Sequence, residues 1–492
     1  MKTLCGIDLG TQSCKIILYD YEKKRIAETA QVPVDMISAN DGTREQKAEW
    51  YRDALKLAFG KLSGAAKKNI AALGVSGHQH SFVPLDAKAR PLYNVKLWCD
   101  TSTQEECEEL TKALGGEKAL IKTAGLPMRP GYTAPKVLWL KKHKPRAFAQ
   151  LAHILLPHDY INFLLTGKFS AEYGDASGTA LLDVRKRRWS EKVCSCIDPI
   201  VYGCLPQLIA PGGSAGTVSA AAAAEYGIPR GALVAAGGGD NMMGAIGTGT
   251  VQDGFLTMSL GTSGTLFGFS DKPVIDPTGN LAAFCSSSGG WLPLLCTMNC
   301  TVASEEFRTL FGMDIKSFDA EAARAPIGAE GVTILPFFNG ERTPNLPRGR
   351  ASVNGITAAN FKHQNLARAA LESAIFGMRI GLEGFNKLGF KAKEIRLTGG
   401  GSKSPLWQSI AANVMNLPVR VPASSEAAAL GGAVQALWTL DPKGSSIEAL
   451  AAKHIALEGG AVIKPDQKSV KAYNNAYEEY SRYLGTLSPL YK

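Results

Sequence analysis

A chain of 492 residues exceeds what one hydrophobic core usually spans, so two domains are expected, and 45% hydrophobic with 20% charged residues marks a globular protein, neither disordered nor fibrous. No apolar run approaches the ~20 residues of a membrane helix, the opening MKTLCGIDLG turns into a glycine-containing strand where a signal peptide would have its apolar core, and the ten cysteines form no paired C-x-x-C sets, so the expectation is a cytoplasmic protein with reduced thiols and no membrane partner. The net charge of +10 would admit a nucleic-acid partner only through KKHK at 141–144 and RKRR at 185–188; both runs are short and lie in no nucleic-acid module, and a solvated basic surface with no nucleic acid accounts for them.

In chain order, Cys5–Asp20 (CGIDLGTQSCKIILYD) reads as strand, Leu-Gly-Thr turn and strand. Residues 48–62 (AEWYRDALKLAFGKL) carry apolar side chains at three- and four-residue spacing, as a helix with one buried face requires. From 231 to 249, GALVAAGGGDNMMGAIGTG leads an apolar strand into three glycines, one aspartate and a small-residue helix. Phe255–Ser270 repeats the strand, Leu-Gly-Thr, strand pattern, and 366–385 repeats the helical spacing. IRLTGGGSKSPLWQSIAANVM again reads as strand, three glycines and helix. The same motifs in the same order imply two similar α/β domains divided near 246–254, taken as 1–248 and 249–492, with mixed sheets flanked by helices. The tail AYNNAYEEYSRYLGTL at 472–487 is amphipathic, with a face for the body of the protein or for a second copy, a homodimer.

A Gly-Thr hairpin turn gathers backbone N–H groups and a hydroxyl into a concavity that holds phosphate oxygens. Asp8 precedes the first such turn, and Ser259 takes its place before the second. A carboxylate beside polyphosphate is repulsive unless a divalent cation intervenes, so Asp8 is a candidate for magnesium. Asp240 fits two roles: an N-cap for the helix after it, or a functional carboxylate at a strand end where ligands approach. TGGGSKSP at 398–405 lacks an acid in the corresponding place, and its glycines suit a nucleotide shelf. Phosphate turns, a glycine shelf and one acid-base group are what phosphoryl transfer requires.

On GIDLGT, PGYTAPKVLWL (130–140), LPHDYINFLLTGKF (156–169), GGGDN, SLGTSG, LPFFNGERTP (335–344) and TGGGSKSPLWQ, the chain resembles the FGGY carbohydrate kinases from about residue 3 to about 440. Gly131, Thr133, Lys136 and Trp139 meet the family's first signature, and the segment from Ala351 through Gly355-Ile356 to Glu372 meets its second. The resemblance implies two ribonuclease-H-like domains of the actin and hexokinase superfamily with a cleft between them, sugar on 1–248 and nucleotide on 249–492. It implies ATP-dependent phosphorylation of the terminal hydroxyl of a small-molecule sugar. Within the family the likeness is strongest to members acting on xylulose, so the expected reaction converts D-xylulose to D-xylulose 5-phosphate. The alternatives are ribulose, another ketose, gluconate or glycerol, and, more remotely, a sugar-independent actin-like ATPase.

By the same resemblance Asp240 is the general base and Asp8 the Mg2+ residue; Thr11, Gln12, Gly261 and Thr262 bind phosphate, Gly399, Gly400 and Gly401 the nucleotide, and Gln79, His80, Trp98, Asp100, Asp240 and Asn241 the sugar. Relatives acting on xylulose usually read Ser-Gly-Gln-Met-His-Gly where this chain has SGHQHS at 76–81. His80 keeps the family's histidine, while His78 and Gln79 make the loop more polar, and Gln79 is expected to bond a sugar hydroxyl. Asp100 is kept, but the arginine two residues on is Ser102. Lys136 and Trp139 are expected to be structural, Lys136 facing the cleft or solvent.

Overall fold

The computed structural model of the chain describes residues 2–459 and 462–491. Its contacts divide it into two compact units, the first of residues 1–252, 269–292 and 426–456, the second of residues 253–268, 293–425 and 457–492. The expected boundary at 248/249 lies close to the first crossover, at 252/253, but the chain crosses again at 268/269, 292/293, 425/426 and 456/457.

In the first unit the early repeat forms a hairpin of β1 (Thr3–Leu9) and β2 (Ser13–Asp20), extended by β3 (Arg25–Pro33). Helix α1 (Ala48–Gly60) leads to β4 (Ile70–Gly77), which lies parallel to β1. Helices α2 (Thr133–His143), α3 (Pro157–Thr166) and the short α4 (Tyr173–Ser177) follow, then β5 (Ser214–Thr217), β6 (Leu233–Ala235), β7 (Gly238–Gly239) and helix α5 (Asp240–Thr248). The sheet order is β5-β6-β4-β1-β2-β3, with β7 also on β4. Antiparallel pairs at β1/β2, β2/β3 and β5/β6 with parallel pairs at β1/β4 and β4/β6 make it mixed, as expected. β1 and β2 are apolar on both faces because both are covered. Tyr51, Leu55 and Phe59 of α1 and Ile161 of α3 close over Ile7, Leu9, Ile16 and Val75 on one side.

In the second unit β8 (Phe255–Leu260) and β9 (Gly264–Gly268) form the second hairpin, and β9 pairs antiparallel with β10 (Trp291–Thr297) through residues 294–297. Helix α6 (His363–Lys387) precedes β11 (Glu394–Thr398), which runs parallel to β8; helix α7 (Pro405–Met415) then leads to β12 (Val419–Arg420), parallel to β11. The hairpin repeat is therefore structural, but the repeat of glycine triplets is not. β11 lies against β8 as β4 lies against β1, with Ser259 opposite Thr398 and Asp8 opposite Ser76. TGGGSKS thus corresponds in place to SGHQHS, and GGGDN to a different strand end.

The chain then returns to the first unit in helix α8 (Ala427–Leu440), with Glu426 at its N-cap. Ala429, Leu430, Ala433 and Val434 of α8, with Met243 and Ile246 of α5, cover the other face of the sheet over Leu4, Ile17 and Ala72. The approach is backbone to backbone: a Cβ at Gly431 would sit 1.8 Å from the Met243 carbonyl oxygen, and one at Gly74 of β4 would sit 2.0 Å from that of Gly432. In the second unit the amphipathic tail forms helix α9 (Gln467–Leu487), burying Val470, Tyr473, Tyr477 and Tyr480. Tyr477 Oη donates to Glu383 Oε2 at 3.2 Å and Tyr473 Oη accepts from Arg368 at 2.5 Å, so that face packs on α6 of its own unit. Among the described residues no helix is long and apolar enough to cross a membrane. The basic runs are partly taken up locally, Lys141 by Asp198 at 2.9 Å, Lys142 by Glu109 at 3.0 Å, and Arg187 over the Trp291 ring at 4.0 Å.

Because no side chain fits between α5 and α8, Gly431→Val should destabilise the protein by about 3 kcal/mol through forced separation of the helices. Gly60→Ala, where nothing lies within 4 Å, should instead stabilise by up to about 1 kcal/mol, and urea unfolding of the two variants checks the contrast.

Candidate active site

Asp8 is the penultimate residue of β1, at the end where β1 and β4 both run out, and Ser76 Oγ on β4 donates to its Oδ1 at 2.8 Å. Directly across the hairpin stands Lys15, whose Nζ donates to Glu426 Oε2 at 2.5 Å. Burial raises the Asp8 carboxyl above its ordinary range, against the opposing effects of Ser76 and Lys15. Among the described residues no three His, Cys, Asp or Glu side chains are grouped to hold a metal. One partly buried carboxylate with an oxygen already on a hydroxyl suits a cation that takes most of its ligands from water and phosphate, the habit of Mg2+.

Asp240 stands at the start of the neighbouring α5. It is not the N-cap, because Gly239 occupies that position with φ −66° and ψ 156°, leaving Asp240 as the first helical residue. Its Oδ1 accepts from Asn241 N at 2.7 Å and from Asn241 Nδ2 at 2.9 Å. Burial, then the negative charges of Asp8 and Asp175, push its carboxyl up to about 7, against the Asn241 hydrogen bonds. A carboxylate with that value is half ionised near neutral pH and takes up a proton readily.

The loop after β4 separates its residues sharply. His78 is structural: Nδ1 meets Ser81 Oγ at 2.8 Å, Nε2 meets Tyr51 Oη at 3.1 Å, and burial holds its pKa down to about 3, so the ring is neutral. Gln79 is 5% exposed; its Oε1 accepts from Asn241 Nδ2 at 2.6 Å and its Nε2 faces Met242 Sδ at 3.1 Å. Both ends of the amide have a protein partner. His80 adopts φ +59° and is pinned from several sides. Its carbonyl accepts from Thr133 Oγ1 at 2.9 Å and Lys136 Nζ at 3.0 Å, its backbone N donates to Asp175 Oδ1 at 3.2 Å, and its ring Nδ1 lies 3.1 Å from the same oxygen. Trp98 joins loop and turn, its indole Nε1 donating to Thr11 Oγ1 at 2.9 Å and its backbone N to Ser81 Oγ at 3.1 Å. The adjacent Gln12 is exposed.

One expectation is corrected here. Lys136 faces neither cleft nor solvent; it is fully buried, donates also to the Gly131 carbonyl at 2.6 Å, and burial pushes it down to about 7. Asp100 is also fully buried, and protein donors fill its oxygens: Arg44 N at 2.8 Å and Lys96 Nζ at 3.1 Å on Oδ2, Ser102 N at 3.0 Å and Ser102 Oγ at 2.6 Å on Oδ1. Lys96 also pairs with Glu45 at 3.1 Å and lies 4.1 Å from the Trp139 ring centroid. Asp100 is thus held in place by protein donors on both oxygens.

Sequence reasoning missed Asp175, Glu172 and His158. Asp175 lies between the rings of His80 and His158, with Oδ2 at 3.3 Å from His158 Nδ1, and Asp159 Oδ1 lies 2.9 Å from His158 Nε2. Burial alone would raise Asp175, but the bonds from the two histidines hold it well below the usual carboxylate range; the two aspartates hold His158 well above its own despite burial. Glu172, pushed up to about 7 by burial, accepts from Gly174 N, Asp175 N and Ser287 Oγ and so fixes the turn that carries Asp175. Two acids among small residues in AEYGDASGT were the available signal.

In the second unit the carbonyls of Gly261 and Thr262 accept from Thr301 N and Cys300 N at 3.1 and 2.9 Å, which fixes the turn between β8 and β9. Gly399 leaves β11 at φ +85°, Gly400 and Gly401 continue in a short 3-10 turn, and Ser404 caps α7 by accepting from Trp407 N. A glycine segment ending at a helix N-terminus lets an anion or a planar ring approach the backbone.

Residues 3–247 match the N-terminal domain, and 256–440 the C-terminal domain, of the FGGY family of carbohydrate kinases. The chain belongs to that family and is a sugar kinase, a phosphotransferase that uses ATP. It is 43% identical to a xylulose kinase of Haemophilus influenzae over 99% of both chains, and 31% identical to a xylulose kinase of Escherichia coli over 99% of both. The crystal structure of a xyloylose kinase from Brucella ovis superposes with a TM-score of 0.92 at 30% identity, covering 99% of this chain and 100% of that one. A gluconate kinase from Lactobacillus acidophilus shares the fold, with a TM-score of 0.91 at 24% identity over 100% and 99% of the two chains.

Because protein donors hold both oxygens of Asp100, Asp100→Asn should cost stability, by about 1–3 kcal/mol from the weakened bonds to Lys96 and Ser102, while the KM for sugar stays within about twofold of wild type. Thermal unfolding together with steady-state kinetics checks both halves.

Proposed function

We propose that the chain transfers the γ-phosphoryl group of ATP to the terminal hydroxyl of D-xylulose, giving D-xylulose 5-phosphate and ADP. Asp240 carries the reading: a partly buried carboxylate at a helix start, pushed up to about 7, beside a second carboxylate at the neighbouring strand end. Full-length identity to xylulose kinases supports the choice of sugar.

In this reading the sugar lies on the loop after β4, with His80, Trp98 and Asn241 toward its hydroxyls and its terminal hydroxyl at Asp240. As that oxygen bonds to the γ-phosphorus, Asp240 accepts its proton and the bond from the γ-phosphorus to the β,γ-bridging oxygen breaks. Thr11 and Gln12 in one turn and Gly261 and Thr262 in the other offer N–H and hydroxyl groups to phosphate, and Gly399, Gly400 and Gly401 admit the nucleotide. Asp8 holds Mg2+, which when bound offsets the negative charge of the phosphates. All ten cysteines are free thiols, which supports a cytoplasmic place of action.

Asp240→Asn should lower kcat about 10²- to 10⁴-fold with ATP binding retained. In the wild type, kcat should fall as pH drops through about 7, because Asp240 is then protonated and can accept no proton. ADP release measured with D-xylulose, D-ribulose, L-ribulose, gluconate and glycerol tests the sugar. D-xylulose should lead in kcat/KM; a lead for gluconate or glycerol overturns the pentulose reading, and equal turnover without sugar makes the chain an ATPase of the actin type.

A further inference from the structure

Gln79 has a protein partner at each end of its amide, Met242 at Nε2 and Asn241 at Oε1. Its stem lies against the backbone of Gly239, where a Cβ would sit 2.6 Å from Gln79 Cγ, so the last of the three glycines before Asp240 makes room for this side chain. From there the contacts form one line: Met242 Sδ, Gln79 Nε2 at 3.1 Å, Gln79 Oε1, Asn241 Nδ2 at 2.6 Å, and Asp240 Oδ1 at 2.9 Å.

We propose that Gln79 is a positioning residue for phosphoryl transfer, acting through Asn241 to hold the Asp240 carboxylate in its working orientation. The inference rests on the reading of Asp240 as the base. Asn241 Nδ2 has two hydrogens, one for Gln79 Oε1 and one for Asp240 Oδ1. A rotation of the Asn241 amide by half a turn would set its carbonyl oxygen against both acceptors. Gln79 therefore adds a second penalty to the wrong orientation, which a thioether, a weak acceptor, does not supply. The charged groups around Asp240 are Asp8 on β1 and Asp175 on α4, with Lys15 and Glu426 behind Asp8 and His80 and His158 beside Asp175. Two of these, Asp8 and Asp175, oppose ionisation of Asp240, and the Asn241 donors counter them.

The test is a double-mutant cycle of Gln79→Met and Asn241→Ala, with kcat and sugar KM measured across pH on the leading sugar of the panel and Asp240→Asn alongside. Gln79→Met alone should lower kcat at neutral pH about 3- to 10-fold, move the acid limb to higher pH, and leave sugar KM within about twofold. In the Asn241→Ala background the same change should do nothing further. A raised KM at unchanged kcat would make Gln79 a sugar contact and overturn the proposal, as would an equal loss in both backgrounds or a loss of rate without a displaced limb. If Asp240→Asn keeps its turnover, the base falls and the relay with it. If Asp240→Asn is inactive while Gln79→Met matches wild type in rate and pH profile, the relay alone falls.

Discussion

The contact on which the first unit depends is the approach of α8 to β4 and α5 without intervening side chains. Gly431 against the Met243 carbonyl and Gly74 against that of Gly432 bring main chain to main chain. Dispersion over such a seam depends steeply on separation, so the helices and strands hold one register and tolerate no other. The elements that carry Asp8, Ser76 and Asp240 are the ones so fixed, while Glu426, at the N-cap of α8, reaches back to Lys15 across the hairpin from Asp8. Precision at the carboxylates is thus a property of the backbone seam more than of the loops that bear them.

That seam permits an otherwise unfavourable assembly of like charges. Asp8 and Asp175 both repel Asp240, and the three are balanced differently: Asp8 by Ser76 and Lys15, Asp175 by two histidines, Asp240 by its own neighbour Asn241. The least compensated of the three is the one whose carboxyl rises to about 7. Burial with few compensating donors is what raises that carboxyl.

The two hairpins, the helices at 48–62 and 366–385 and the mixed sheets were legible because alternation and three- to four-residue spacing report burial locally. The repeat of glycine triplets misled because composition does not encode which strand a segment pairs with: β11 takes the place of β4, and the acid at the start of α8 is Glu426. Asp240 was legible as a residue but not in its role at the helix start, since Gly239 takes the cap. Asp100 was named for the sugar by resemblance and Lys136 was expected to face the cleft or solvent, whereas burial of a charge with its partners depends on contacts distant in sequence, such as Arg44 N and the His80 carbonyl. Gln79 was noticed as a departure, but its partner lies 162 positions away.

The order in which the first unit is strung along the chain has a consequence for its synthesis. α8 leaves the ribosome only after residues 1–252, 269–292 and all of the second unit's middle segment have emerged. At ~5–20 residues per second, the 188 residues from 253 to the end of α8 at 440 take roughly 10–40 s to make. Throughout that interval the face of β1, β4 and α5 that receives α8 has no cover from its own chain, although every strand of its sheet already exists. The nascent protein therefore presents a glycine-lined apolar surface to the chaperones of the cell, and a helix that arrives late is the one that packs on the strands bearing the carboxylates.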